Sequence, residues 1–116
     1  MRAFIFPGQG SQSVGMGTAL AAASNAARAV FEEVDDALGD NLFKLMSEGP
    51  EDRLMLTENA QPAIMANAIA TLAVLGSDGV RLAEKADYVA GHSLGEYTAL
   101  HAAIAPWPTG TAACIA

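Results

Sequence analysis

Gly91-His92-Ser93-Leu94-Gly95 is a Gly-x-Ser-x-Gly run. Its residue types suit covalent acyl transfer. A serine raised on a sharp strand-to-helix turn holds its hydroxyl clear of the backbone, where it can attack a carbonyl. The same turn aims the main-chain N–H of the next residue, Leu94, at the point where negative charge develops. A Cβ at Gly91 or Gly95 would crowd such a turn, which is a steric reason for both glycines. The plainer reading of Ser93 is a helix N-cap.

The flanking segments favour the first reading. Ala86-Asp87-Tyr88-Val89-Ala90 reads as a short buried strand. Glu96 to Ile104 reads as a helix with a mostly apolar face. At the other end of the chain, Ala3-Phe4-Ile5-Phe6 is a wholly apolar run that stops at Pro7-Gly8. It predicts a central strand buried on both faces. Pro7 to Gln12 is then a turn-rich loop.

Helical patterning fills the interval. Ser24 can cap a helix with Ala27, Val30, Phe31, Val34 and Leu38 on one stripe and Glu32, Glu33, Asp35 and Asp36 on the other. Gly39 suits its C′ position. Asn41 to Glu48 gives a short helix closed by Gly49-Pro50, and Glu51 to Leu56 a further turn. Asn59 to Leu75 is almost uncharged and apolar nearly all round, the mark of a buried helix. Gly76 to Gly79 breaks it, and Val80 to Lys85 links it to the second strand. The order strand, helices, strand, elbow, helix defines an α/β fold with a parallel sheet. Met46, Met55 and Met65 are expected as core filler.

Composition narrows the class. The chain has 116 residues, 52% of them apolar and 16% charged, with a positive mean hydropathy of +0.26. That excludes a disordered tail and suits one small domain. A net charge of −7 with six basic residues argues against nucleic acid or an anionic membrane surface as partner. The lone Cys114 has no internal disulfide partner, as in a reducing compartment. Met1-Arg2 is followed by only four apolar residues, too few for a signal peptide, and no run is expected to reach a membrane span. A cytoplasmic location is the resulting expectation.

Phe6-Pro7-Gly8-Gln9-Gly10-Ser11-Gln12 and Gly91-His92-Ser93-Leu94-Gly95-Glu96-Tyr97 resemble the malonyl-CoA:acyl-carrier-protein transacylase family of bacterial fatty acid synthesis. Leu45 to Pro50 and Leu56 to Ala63 resemble it too. The likeness runs from Met1 to about Ala103. It implies that residues 1–103 are the N-terminal part of the acyltransferase large subdomain. It implies a ping-pong reaction in which a malonyl group passes from coenzyme A to Ser93, then to the thiol of acyl carrier protein. Ser93 is then the nucleophile, and the N–H groups of Gln9 and Leu94 form the oxyanion hole. No metal and no cofactor are implied; the coenzyme A thioester is substrate. The reading from the residues agrees. Both loops follow strands of a parallel sheet, where ligand crevices lie, and Gly8 and Gly10 allow close approach at Gln9.

Other residues carry weaker claims. His92 is a candidate pocket wall and not the base, because neighbours on a sharp turn point apart. Gln61 lines the acyl pocket or bonds backbone at a helix start. His101 is structural or at the surface, and Glu96 matches the helix dipole.

Residues 104–116 depart from the family. The likeness implies a helix bearing an arginine that clamps the malonyl carboxylate, yet no arginine follows Arg81. The implied downstream histidine and ferredoxin-like subdomain are not in this sequence. An acidic carrier protein also calls for a basic docking surface, which this acidic chain lacks. A shifted reading frame accounts for the divergent tail. Ser-Leu-Ala-Asp encoded TCC-CTG-GCC-GAC after the bases GC, read in register with those two bases, gives Ala-Pro-Trp-Pro and then a codon beginning AC, matching Ala105 to Thr109. A deliberate truncation is the rival account, though it leaves the altered residues unexplained; the coding DNA separates the two.

Two consequences are expected of the chain alone: weak stability or self-association through exposed apolar surface, and no appreciable malonyl transfer. The competing classes are an α/β-hydrolase esterase, disfavoured by the placing of the Pro7–Gln12 loop, and a non-catalytic interaction module. An acyltransferase domain of a polyketide synthase is nearer, and the start at Met1 favours the free-standing enzyme over it.

Overall fold

The computed structural model describes residues 2–80 and 82–104. Residues 105–116, which hold Cys114 and most of the tail expected to depart from the family, lie outside them. The chain runs β1 (Ala3–Phe6), α1 (Thr18–Ala23), α2 (Asn25–Leu38), α3 (Leu42–Glu48), α4 (Glu51–Leu54), α5 (Thr57–Ser77), α6 (Leu82–Lys85), β2 (Tyr88–Gly91) and α7 (Leu94–Ile104). β1 and β2 form a two-stranded parallel sheet, with Ala3 opposite Tyr88 and Phe6 opposite Gly91.

α2 follows its sequence signals closely. The Ser24 hydroxyl accepts from the Ala27 N–H at 3.4 Å, and Gly39 ends the helix in the left-handed region at φ 65°. Its stripe of Ala27, Val30, Phe31 and Val34 is buried, and Phe31 stacks on Phe43 of α3 with ring centroids 4.7 Å apart. α5 is the central helix of the core. Ala60, Ala63, Ile64, Met65, Ala66, Ile69, Ala70 and Leu72 are all buried along it. It packs on α2 and on α7.

Several expectations need correction. α1 was not foreseen; Thr18-Ala-Leu-Ala-Ala-Ala carries too little contrast between faces to show a helical period. α5 continues through Gly76, which was expected to break it. It is also long and apolar enough, by length and composition, to cross a membrane, although no run was expected to be. Its 21 residues at about 1.5 Å each match a ~30 Å hydrocarbon layer, because scattered Thr, Asn and Gln break the apolar run without lowering its mean much. Neither strand is buried on both faces. Ile5 is 77% exposed and Tyr88 61%. A continuous apolar run predicts burial only if layers lie on both sides, and here helices cover one side. β2 also begins two residues later than expected. Met46 and Met65 are buried as expected, but Met55 is 53% exposed, its sulfur accepting from Gln12 Nε2 at 3.2 Å.

Candidate active site

The elbow forms where β2 ends. Ser93 sits at φ 54°, the one left-handed non-glycine residue among those described. That region costs an L-residue about 1–3 kcal/mol and persists where surrounding structure enforces it. Both flanking glycines show what enforces it. A Cβ on Gly91 would run into the backbone of Gly95, and one on Gly95 would run into the carbonyl of Phe6. The turn is closed by bonds from Gly95 N–H to His92 O at 2.9 Å and from Glu96 N–H to Ser93 O at 3.0 Å. Ser93 is exposed at its tip, while Leu94 and Gly95 are buried beneath it.

The N-terminal loop packs directly on this turn. His92 N–H donates to Phe6 O at 3.2 Å, extending the strand pairing into the elbow. Gly8 lies so close that a Cβ there would strike His92 O and stand 3.1 Å from His92 Nδ1. Gly8 is thus a contact point between the loops, and the His92 ring lies beside it. Gly10, at φ 108°, carries the chain through a conformation closed to other residues. The Ser11 N–H and hydroxyl both donate to Gly8 O, at 3.3 and 2.8 Å, and Gly10 N–H donates to Gln12 Oε1 at 2.8 Å.

Gln9 stands between these fixed points. Its Nε2 donates to Thr57 Oγ1 at 3.0 Å, tying the loop to the start of α5. The N–H groups around the elbow are largely taken, but among the described residues those of Gln9 and Leu94 have no acceptor. Gln61 is half-buried on α5, four residues past Thr57 and so on the same helix face. The Gln9–Thr57 and Gln12–Met55 ties escaped sequence reading, because no local pattern marks a contact across more than 40 residues.

The other titratable residues stand apart from this cluster. His101 is buried in α7, and burial lowers its pKa below the usual 6.5, with the charge of Glu33 opposing. Glu96 lies in the first turn of α7. Burial raises the Asp35 pKa, against hydrogen bonds from the Phe43 and Leu42 amides; Phe43 N–H donates to its carboxylate at 3.1 Å. Among the described residues no group of three His, Cys, Asp or Glu could hold a metal, and the Ser93 hydroxyl is hydrogen-bonded to no base.

A two-stranded parallel sheet leading into a glycine-flanked serine turn defines the class, an α/β protein with an elbow between strand and helix. The sequence matches the acyl transferase domain family over residues 3–113, and the chain belongs to that family. It is 48% identical over 101 residues to the malonyl CoA-acyl carrier protein transacylase of Bacillus subtilis, covering 87% of this chain and 31% of that one. The crystal structure of acyl-carrier-protein-S-malonyltransferase from Bartonella henselae superposes with a TM-score of 0.91 at 52% identity, over 99% of this chain and 37% of that one. A type II polyketide acyl-carrier protein in complex with its malonyl-transacylase matches at a TM-score of 0.86 and 39% identity, over 97% of this chain and 35% of that one. The chain thus spans about a third of the relatives it matches.

Proposed function

We propose that this chain is the part of a malonyl-CoA:acyl-carrier-protein transacylase that supplies the nucleophile and the oxyanion hole. One observation carries the reading: Ser93 is held at φ 54° on an elbow against which the Gly8 loop packs, and among the described residues the Gln9 and Leu94 amides have no acceptor.

The chemistry follows from that arrangement. Ser93 Oγ attacks the thioester carbonyl of malonyl-CoA, and its proton passes to a base contributed from the downstream part of the enzyme. The carbonyl π electrons move to oxygen, where the two amides stabilise the charge. Collapse reforms the carbonyl, breaks the C–S bond and expels the coenzyme A thiolate, which takes up the proton. The carrier-protein thiol then attacks the seryl ester by the same steps, and Ser93 leaves. One hole serves both tetrahedral states, and the thioester itself supplies the activation. A cytoplasmic location is part of this reading and rests on the lone Cys114.

Alone, the chain is expected to be a poor catalyst. Loss of the histidine from a serine–histidine couple lowers turnover about 10⁶-fold in subtilisin. The test is therefore a chimera, in which residues 2–103 of this chain replace the matching segment of the Bacillus subtilis relative. It is expected to transfer malonyl groups from malonyl-CoA to acyl carrier protein, and Ser93→Ala is expected to reduce transfer by at least three orders of magnitude. A folded chimera with no transfer, or one in which Ser93→Ala retains it, refutes the proposal.

A further inference from the structure

Gln9 stands between two glycines, so the main chain on either side of it turns easily. Its N–H belongs to the Gly8–Gln9 peptide, which is planar and trans. In a trans peptide the C=O and the N–H point in opposite directions. Whatever holds the Gly8 oxygen therefore aims the Gln9 hydrogen. Two donors hold that oxygen, and both belong to Ser11: its main-chain N–H at 3.3 Å and its hydroxyl at 2.8 Å. The first bond is long for an N–H donor, whereas the second has the usual length for a hydroxyl. The hydroxyl is thus the main restraint on this peptide. The other ties of the loop act elsewhere. Gln9 Nε2 reaches Thr57 Oγ1 at 3.0 Å, and Gly10 N–H reaches Gln12 Oε1 at 2.8 Å. They hold the Gln9 side chain and the following peptide, and neither sets the plane that carries the Gln9 N–H.

We infer that Ser11 is a positioning residue of the oxyanion hole, its hydroxyl fixing the direction of the Gln9 N–H through the Gly8 carbonyl. This role rests on the proposed function, which assigns the Gln9 amide to the substrate oxygen. The Gly8 Cα is pinned against His92 of the elbow, where a Cβ would strike the His92 carbonyl. The peptide beyond it can still rotate, because glycine tolerates most values of ψ. A half-turn would replace the donor with the Gly8 carbonyl and set a negative dipole against the developing oxyanion. The Ser11 bonds oppose that rotation. They also polarise the amide, which makes its N–H a stronger donor. A serine bonded to the carbonyl three residues earlier is a common local turn. A turn made for shape alone would affect stability and leave the rate per folded molecule unchanged.

The experiment uses the chimera and measures acylation of Ser93 by malonyl-CoA in a single turnover without carrier protein. Ser11→Ala is expected to lower the maximal acylation rate about tenfold, part of the roughly 10²–10³ lost when an oxyanion-hole donor is deleted. The malonyl-CoA concentration giving half that rate is expected to stay the same, as for an interaction made only in the transition state. With a ¹³C-labelled ester carbonyl, the infrared band of the malonyl-Ser93 ester is expected to move to higher frequency, because its oxygen loses a well-aimed donor. Ser11 is exposed, so the added methyl of Ser11→Thr has room. That variant keeps the hydroxyl and is expected to keep the original rate and band. Should the alanine variant not fold, Ser11→Cys is nearly isosteric with a weaker donor, and a smaller change in the same direction is expected. A folded alanine or cysteine variant with the original rate or the original band overturns the inference. So does a folded threonine variant as slow as alanine. An active, Ser93-dependent chimera indifferent to Ser11 removes only this role, whereas a folded chimera that is never acylated at Ser93 removes the proposed function and this role with it.

Discussion

Ser93 owes its position to what its neighbours lack. The elbow stands because Gly91 and Gly95 have no Cβ, so that two backbone segments and the end of β1 pass at contact distance. Gly95→Ala would drive a methyl into the Phe6 carbonyl and to 2.9 Å from that of Pro7. Backbone cannot yield as a flexible side chain can, so the substitution is expected to cost roughly 1–3 kcal/mol in urea unfolding; a neutral result would show that the turn is looser than described. Thr98 tests the opposite sign. It is 1% exposed and its hydroxyl has no hydrogen-bond partner among the described residues. Thr98→Val removes that unsatisfied group at nearly constant volume and is expected to stabilise by about 1 kcal/mol. An unchanged or lower midpoint contradicts that. At this scale the sequence was informative where a local rule applied. Two glycines at fixed offsets from a serine mark an elbow, and the glycines around Gln9 mark a close approach. It could not reveal that Gly8 meets His92 or that Gln9 reaches Thr57, because those contacts depend on how α5 and the sheet are assembled. Met55 misled for the same reason: its type suits a core, and only the packing exposes it.

Among the elements, legibility followed contrast. α2 alternates an apolar stripe with four acidic residues between a serine cap and a glycine stop, and it forms as read. α1 has no such contrast and was missed. α5 was recognised as a buried helix, but its end was misplaced, because an isolated glycine inside a packed helix costs only about 1 kcal/mol against alanine. The strands were found and their burial misjudged, since an apolar run cannot show how many layers surround it. α7 carries its own test. Burial disfavours the charged form of His101, so its folded pKa lies below the usual 6.5. As pH falls below that value the unfolded chain binds more protons than the folded one, and stability declines toward acid. Thermal unfolding is expected at a lower temperature at about pH 5.5 than at about pH 7.5. His101→Gln is expected to shrink that difference; an equal difference in the variant would assign the pH dependence elsewhere.

The whole molecule is a core of helices around α5 with a sheet exposed on one face. Its fold class was readable from element order alone, and its family from two short motifs. The open face was not, since the apolar runs of β1 and β2 implied neighbours. With so little sheet, the isolated chain is expected to unfold at low temperature in calorimetry, and a cooperative, high-melting transition contradicts that expectation. Net charge bears on partners at the same scale. At −7 the chain offers little long-range attraction to another acidic protein. The account as a whole turns on two loops sharing one carbonyl oxygen. The most direct measurement is peptide mass spectrometry of the chimera after brief exposure to malonyl-CoA without carrier protein. One malonyl group on the peptide containing Ser93 is the result the proposed function predicts. A folded chimera that carries no adduct, or carries it on another residue, would contradict it.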